Sequence, residues 1–309
     1  MIMKTALIVN PCAGQRRAMA QVESIARLFE AAGDIVAVFV TRQPGDGTRL
    51  ACKLSCHSDR LVCIGGDGTF HEVAQGVMQS RRRPPVGYIP AGTTNDMSRS
   101  LGLSHHMQQA ARDILHGEVR ALDIGRFNER TFTYVAAFGA FTRVSYRTPQ
   151  TLKNMFGHAA YVWEGAKSLP RLRGWPMKIE TPHRIYRGSY LYGSLSNAVS
   201  LGGVLRFPSG AVELGDGQFE LLLIRPAHTP GELLECARSL LTRRFDSPLI
   251  TLERVSRVKV TADPRMSWAL DGEFEPGARH VTLEAVPGAI SVIVPRRRLA
   301  KDNTPTDSQ

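Results

Sequence analysis

Long apolar runs are missing from this chain. None approaches the roughly 20 residues that a membrane-crossing helix needs, so no such helix is expected. Cysteine is scarce: five in 309 residues, at Cys12, Cys52, Cys56, Cys63 and Cys236. The odd number and scattered spacing argue against a disulfide framework. Cys52-x-x-x-Cys56-His57 lacks the ligand spacing of a zinc site and reads as the end of a helix from Thr48 to His57. Acidic residues are few against basic ones, 28 against 39, which leaves a net charge of +11. Neither the interleaved aromatics nor the motifs of nucleic-acid modules occur, so nucleic acid is not an expected partner. The start, Met1 to Asn10, is too short for a signal-peptide core and has no small-residue cleavage site. It reads as a first strand, and the cytoplasm is the expected compartment.

What is present is ordinary for a soluble globular chain, with 43% hydrophobic and 22% charged residues. The length allows two domains with real cores. The arginines cluster at Arg81–Arg83, Arg171/Arg173, Arg243-Arg244 and Arg296–Arg298. A solvated face explains any one cluster. Attraction to an anionic membrane surface, at about 1 kcal/mol per basic residue, or to an anionic small molecule explains them together.

Residues 1–125 alternate strand and helix signals. Strands are expected at Thr5–Val9, Ile35–Val40, Leu61–Ile64 and Val86–Ile89. Helices are expected at Arg16–Ala32, Thr48–His57, Phe70–Gln79 and from Thr94. That order implies a parallel sheet covered on both faces, an α/β domain. From about 126 to 294 short strands dominate: Thr131–Phe138, Met177–Glu180, Tyr190–Ser196, Gln218–Ile224, Val258–Ala262, Met266–Leu270, Val281–Glu284 and Ile290–Val294. Two helices, Leu152–Leu169 and Pro230–Leu241, interrupt them. This half reads as a β-rich, sandwich-like domain, with the segment near 295–300 free to pack back on the first domain. The polar tail 302–309 reads as disordered. The helix Leu152–Leu169 is either packed in the core or a membrane-facing lip.

The densest signal is Gly65-Gly66-Asp67-Gly68-Thr69, between a strand and a helix. Such a turn aims backbone N–H groups and the positive helix end at one point, which suits a phosphate. Asp67 would repel that phosphate unless a cation bridged them, which suggests a nucleotide with Mg²⁺. A plain turn in which glycine only supplies positive φ is the bland alternative. Two more junctions of the same kind follow strands: Asn10-Pro11-Cys12-Ala13-Gly14, and Pro90-Ala91-Gly92-Thr93-Thr94-Asn95-Asp96. All three would gather at the carboxyl ends of one parallel sheet, where open α/β sheets bind ligands.

N-P-x-x-G, T-x-x-x-G-D, G-G-D-G-T-x-x-E and P-x-G-T-x-N-D, in this order, resemble the diacylglycerol kinase catalytic domain family. That family includes bacterial soluble lipid kinases and the sphingosine kinases. The motifs here are Asn10–Gly14, Thr41 to Asp46, Gly65–Glu72 and Pro90–Asp96. Leu152–Tyr161, Asn197 with Gly202-Gly203, Pro208 to Gly217, and Leu270-Asp271-Gly272-Glu273 extend the resemblance through residues 4–298. It implies a nucleotide-binding domain, a β-rich lipid-substrate domain and an active site between them. It also implies that Asn10, Pro11, Gly14, Thr41, Gly65, Gly66, Asp67, Gly68, Thr69, Glu72, Thr93, Asn95 and Asp96 bind ATP. By the same resemblance, Asp67 attends the phosphates and Mg²⁺. Asp271 is the base that takes the hydroxyl proton, with Glu273 beside it. Glu213, Asp216 and the Gln218 carbonyl hold a structural Mg²⁺. The bland reading of Asp271-Gly272 is a hairpin turn. Ala13, Met97 and Phe219-Glu220 depart from the family pattern in detail.

The expected function is ATP-dependent phosphorylation of a lipid hydroxyl, diacylglycerol first, by an enzyme peripherally associated with an anionic membrane. A homodimer is compatible with the sequence. The alternatives are an NAD-kinase-like phosphotransferase, which shares the GGDGT logic, and a non-catalytic lipid-binding regulator, which would need neither Asp67 nor Asp271.

Overall fold

The computed structural model describes residues 2–14, 17–139, 174–201, 205–207 and 212–296. The first half runs β1 (Lys4–Val9), α1 (Arg17–Ala31), β2 (Ile35–Val40), α2 (Asp46–Ser55), β3 (Arg60–Gly65), α3 (Asp67–Gln79), β4 (Val86–Pro90), α4 (Asp96–Ser100) and α5 (Met107–His116). The four strands are parallel in the order β2-β1-β3-β4. The three inner strands are apolar because both faces are covered. Alternate residues of β1 show this directly: Ala6 and Ile8 pack with Phe70 and Val73 of α3, while Leu7 and Val9 pack with Ile25 and Phe29 of α1. β2 is the edge strand and is largely exposed.

The second half contains β5 (Glu118–Phe127), β6 (Arg130–Phe132), β7 (Val135–Gly139), β8 (Trp175–Glu180), β9 (Ile185–Tyr190), β10 (Tyr192–Ser196), β11 (Ser200–Leu201), β12 (Leu205–Arg206) and β13 (Phe219–Ile224). It continues with α6 (Pro230–Leu241), β14 (Ile250–Val255), β15 (Arg257–Ala262), β16 (Trp268–Leu270), β17 (Glu273–Glu275) and β18 (His280–Val294). A sheet ordered β14-β13-β10-β7-β16-β17 faces strands β18, β15 and β8. Phe138, Leu195, Leu221 and Trp268 from the first sheet meet Ile179, Val260 and Leu283 from the second, which makes the sandwich core. α6 starts where its sequence says it should. Thr229 and Glu232 close a capping box around Pro230.

Several elements differ from the sequence reading. The strands expected at Val281–Glu284 and Ile290–Val294 are one, β18, with a bulge between Val286 and Ile290 that absorbs Pro287-Gly288. Gly288 takes φ +54 there, and its N–H donates to Asp123 Oδ1 at 2.7 Å. Because β18 is continuous, it pairs with β15 at one end and reaches β4 at the other, joining the sheets of both halves. The boundary expected near residue 125 lies within β5, which pairs along β18 on either side of its bulge. The strand expected at Thr131–Phe138 is broken at Thr133 and Tyr134, for a reason that lies in the site described next. Helix α5 and strands β5, β9, β11, β12, β14 and β17 had no counterpart in the sequence reading. The helix expected at Leu152–Leu169 and the tail 302–309 fall outside the described residues, and among the described residues no helix is long and apolar enough to cross a membrane.

Candidate active site

Four loops leave the carboxyl ends of β1 to β4 and are tied to one another by short-range bonds. Asn10 Nδ2 donates to Thr69 Oγ1 at 3.0 Å, and Asn10 Oδ1 accepts the Cys12 N–H at 3.0 Å. That links Asn10-Pro11-Cys12-Ala13-Gly14 to the GGDGT turn, and Gly14 closes the loop at φ +58. Thr41 is buried, with its N–H on the Val9 carbonyl. Asp46 accepts the Arg42 and Gln43 N–H groups and begins α2. Glu72 reaches back from α3 and accepts the N–H groups of Gly45 and Gly47 at 2.8 and 2.9 Å. Glu72 therefore holds the second loop against the third.

The GGDGT turn itself starts α3, with Gly66 at the N-cap. A Cβ on Gly92 would stand 2.7 Å from the Gly66 Cα, so the third and fourth loops touch backbone to backbone and only glycine permits it. A Cβ on Gly68 would meet nothing within 4 Å, so the turn opens to free space on that side. Thr93 and Thr94 are exposed beside it. The N–H groups of the first turn of α3 thus face an open, glycine-lined cradle.

Asp67 organises the neighbouring loop. Its carboxylate accepts the Asp96 and Met97 N–H groups at 3.0 and 3.2 Å, which caps α4 from outside, and the Tyr88 hydroxyl lies 3.4 Å away. Asn95 sits in left-handed backbone at φ +50 and exchanges two bonds with Gly92. Asp96 is buried and accepts from the Ser200 hydroxyl at 2.9 Å, a contact from the second half. Burial pushes the Asp67 carboxyl up to about 6; the two N–H donors pull it down, and Asp96 and Asp271 push it up further.

Asp271 stands opposite, in the tight β16–β17 turn with φ +50. Its side chain is 4% exposed. Oδ2 accepts the Thr133 N–H at 2.6 Å and the Thr133 hydroxyl at 2.7 Å, and Oδ1 accepts the Tyr134 and Val135 N–H groups at 2.9 and 3.0 Å. This is why the strand breaks: the carboxylate takes the N–H groups that a ladder would have used. His71 Nδ1 of α3 lies 2.9 Å from Oδ2, an ion-pair contact bent away from a straight hydrogen bond. Burial would raise the Asp271 pKa, but His71 and the Thr133 donors outweigh it and hold the carboxyl below its ordinary range. Glu273 is exposed, with Arg130 at 4.0 Å.

The loops and Asp271 thus converge. Glu213, Asp216 and Gln218 do not join them. All three are exposed; Asp216 is ion-paired with Arg254, and its Oδ1 accepts the Gln218 N–H at 3.0 Å. The Arg254 guanidinium occupies the acid that a structural metal would use, so these residues as placed do not fit such a metal. Three residues that matter here escaped the sequence reading: His71, Thr133 and Tyr88. His71 had a signal, since it lies four residues after Asp67 and hence on the same face of α3.

The family model of the diacylglycerol kinase catalytic domain matches residues 4–127. A diacylglycerol kinase of Bacillus subtilis (strain 168) is 31% identical over 270 residues, covering 87% of this chain and 89% of that protein. The chain belongs to the diacylglycerol kinase catalytic domain family. A diacylglycerol kinase of Staphylococcus aureus (strain MRSA252) is 30% identical over 272 residues, covering 87% of this chain and 85% of that one. Two crystal structures from Bacillus anthracis str. Sterne, at 23% and 21% identity, share the fold with TM-scores of 0.77 and 0.73 over 95% of this chain and 96% and 97% of theirs. Membership makes the chain a kinase, and the four linked loops are the part of it that the family model covers.

Proposed function

We propose that this kinase transfers the γ-phosphoryl group of ATP to a lipid hydroxyl, with diacylglycerol as acceptor and phosphatidic acid as product. The observation that carries the reading is the apposition of the glycine cradle at α3 to the Asp271–His71 contact, one from each half of the chain. In this reading the polyphosphate lies on the N–H groups of Gly66, Gly68 and Thr69, with Asn10 and Thr93 beside it. Phosphoryl transfer needs positioning and neutralisation of charge more than covalent help from the protein.

Mg²⁺ fits that arrangement. Asp67, Asp96 and Asp271 repel one another across the cleft, and a cation would relieve this. Among the described residues no three His, Cys, Asp or Glu side chains form a metal cluster of their own. The ion would therefore arrive with the phosphates, held by Asp67, as Mg²⁺ commonly is. When bound it supplies charge neutralisation on the transferring group.

The acceptor hydroxyl would approach from the Asp271 side, and its proton would pass to the Asp271–His71 pair. Peripheral membrane attachment belongs to the same proposal. α6 exposes Leu234 and Leu241 beside Arg238, and Arg243 and Arg244 follow it. Sedimentation with anionic but not neutral vesicles is the outcome that supports it.

Labelled ATP with Mg²⁺ and a total lipid extract tests the acceptor. Label in phosphatidic acid supports diacylglycerol. Label in another lipid changes the acceptor and keeps the class. Label in NAD alone removes the lipid reading, and no transfer to anything favours a non-catalytic regulator.

A further inference from the structure

We propose that the Arg254 guanidinium takes the place of the structural Mg²⁺ that the family resemblance puts on Glu213, Asp216 and the Gln218 carbonyl. This kinase then needs no metal ion apart from the one its nucleotide brings. The inference goes beyond the lipid-kinase reading and does not depend on the acceptor.

Both oxygens of Asp216 are committed. Oδ1 accepts the Gln218 N–H at 3.0 Å, and Oδ2 is ion-paired with Arg254 Nη2. A metal on Oδ2 would have to displace the guanidinium, because two cations on one carboxylate oxygen repel each other. Without Asp216, Mg²⁺ would have only Glu213, an exposed carboxylate, and one backbone carbonyl. That is a poor set for an ion that demands near-octahedral oxygen ligands and gives up its water reluctantly.

The sheet builds this contact. β14 is the edge strand beside β13, and Arg254 stands directly across from Glu220. Asp216 lies in the turn that leads into β13, so the Arg254 side chain passes Glu220, with Nε 3.8 Å from Oε1, to reach it. The guanidinium keeps its charge at any working pH and, unlike a metal ion, no chelator removes it.

The remaining task of a structural metal, anchoring the turn, is met by protein groups. The Asp123 carboxylate accepts the Gly217 N–H with one oxygen and the Gly288 N–H of the β18 bulge with the other. The Asp123 N–H donates to the Leu214 carbonyl at 2.8 Å. Asn197 Nδ2 donates to the carbonyls of Asp123 and Leu214 at 3.0 and 3.1 Å. A Cβ on Gly215 would stand 2.7 Å from the Ala121 carbonyl oxygen, so the turn lies directly on β5. What these groups leave over is the charge of Asp216, which Arg254 neutralises.

Thermal melts without nucleotide test this, in EDTA and in MgCl₂ at matched ionic strength. An ion bound to the fold raises the melting temperature as its concentration rises. Wild type and Asp216→Asn should give the same Mg²⁺ response, whatever Mg²⁺ Asp67 and its neighbours take. Arg254→Met should melt lower in EDTA by about 2 °C, the value of one partly exposed ion pair. Mg²⁺ should restore that loss, because Asp216 Oδ2 is then open, and Asp216→Asn combined with Arg254→Met should abolish the restoration. A Mg²⁺ response of wild type that Asp216→Asn removes overturns the proposal. So does Arg254→Met that melts like wild type in EDTA, or whose loss Mg²⁺ does not restore. Equilibrium dialysis with Mn²⁺, which shares the octahedral oxygen preference, needs no Arg254 variant. Without ATP, wild type and Asp216→Asn should bind equal amounts of Mn²⁺ per chain, and less in Asp216→Asn contradicts the proposal even if Arg254→Met fails to fold. Neither measurement uses ATP or lipid, so a chain that phosphorylates no lipid overturns the functional reading and leaves this one standing.

Discussion

Asp67 and Asp271 are the same residue type, both largely enclosed, facing one cleft from opposite halves of the chain, and they are pushed in opposite directions. Asp67 has two N–H donors and two acidic neighbours, and burial wins, so its pKa rises to about 6. Asp271 has four donors and an imidazole, and the donors win, so its pKa falls. Burial alone therefore decides neither residue's role. The number of N–H and O–H groups aimed at the carboxylate does. The first is a carboxylate that a cation would complete, and the second is already complete.

That contrast can be broken by deletion. Asp271→Ala leaves the Thr133, Tyr134 and Val135 N–H groups without their acceptor, at about 1–3 kcal/mol for each that stays buried. The expected loss is about 5 kcal/mol in urea unfolding, together with turnover. Asp67→Ala should lose only about 1–2 kcal/mol, the value of a helix cap. Equal losses would mean the two carboxylates are not differently held.

A pH series sharpens it. Glu220 of β13 is 1% exposed, neither of its oxygens has a hydrogen-bond partner, and burial pushes it up to about 8. Its proton stays on in the fold while the unfolded chain releases it near 4.5. Stability should therefore fall as pH rises from 4.5 to 8, by at most about 5 kcal/mol at 1.36 kcal/mol per unit. Glu220→Gln should flatten that decline in thermal melts. Asp67 carries the same sign over a lower window. Its contribution falls as pH rises from 3.8 to about 6, by about 3 kcal/mol at most. Asp67→Asn should remove that slope, and saturating MgATP should weaken it in wild type. Glu72→Ala should lose about 2 kcal/mol from the freed Gly45 and Gly47 N–H groups, close to the loss in Asp67→Ala. It should also raise KM for ATP, which initial-rate kinetics would read.

Much of this was legible in the sequence because it is local. A strand, a glycine turn and a helix within ten residues mark each phosphate loop, and Thr229-Pro230 with Glu232 marks the start of α6. What was hidden depends on distant partners. Nothing near Thr133 shows that Asp271, 138 residues away, takes its N–H and breaks the strand. Pro287-Gly288 reads as a turn until Asp123 is found holding Gly288 in a bulge. The pairing of Asp216 with Arg254 depends on neighbouring strands, β13 and β14, whose register no spacing reveals. Glycine is legible where its reason is the chain's own turn, and illegible where, as between Gly66 and Gly92, the reason is another loop.

The most direct test compares Asp67→Asn and Asp271→Asn in one assay, measuring ATP binding and phosphatidic acid formation from diacylglycerol side by side. The expected result is that Asp67→Asn weakens MgATP binding, while Asp271→Asn binds MgATP normally and makes no phosphatidic acid. Wild-type turnover in Asp271→Asn, or the same loss of binding in both variants, would contradict the division of roles between the two halves of the cleft.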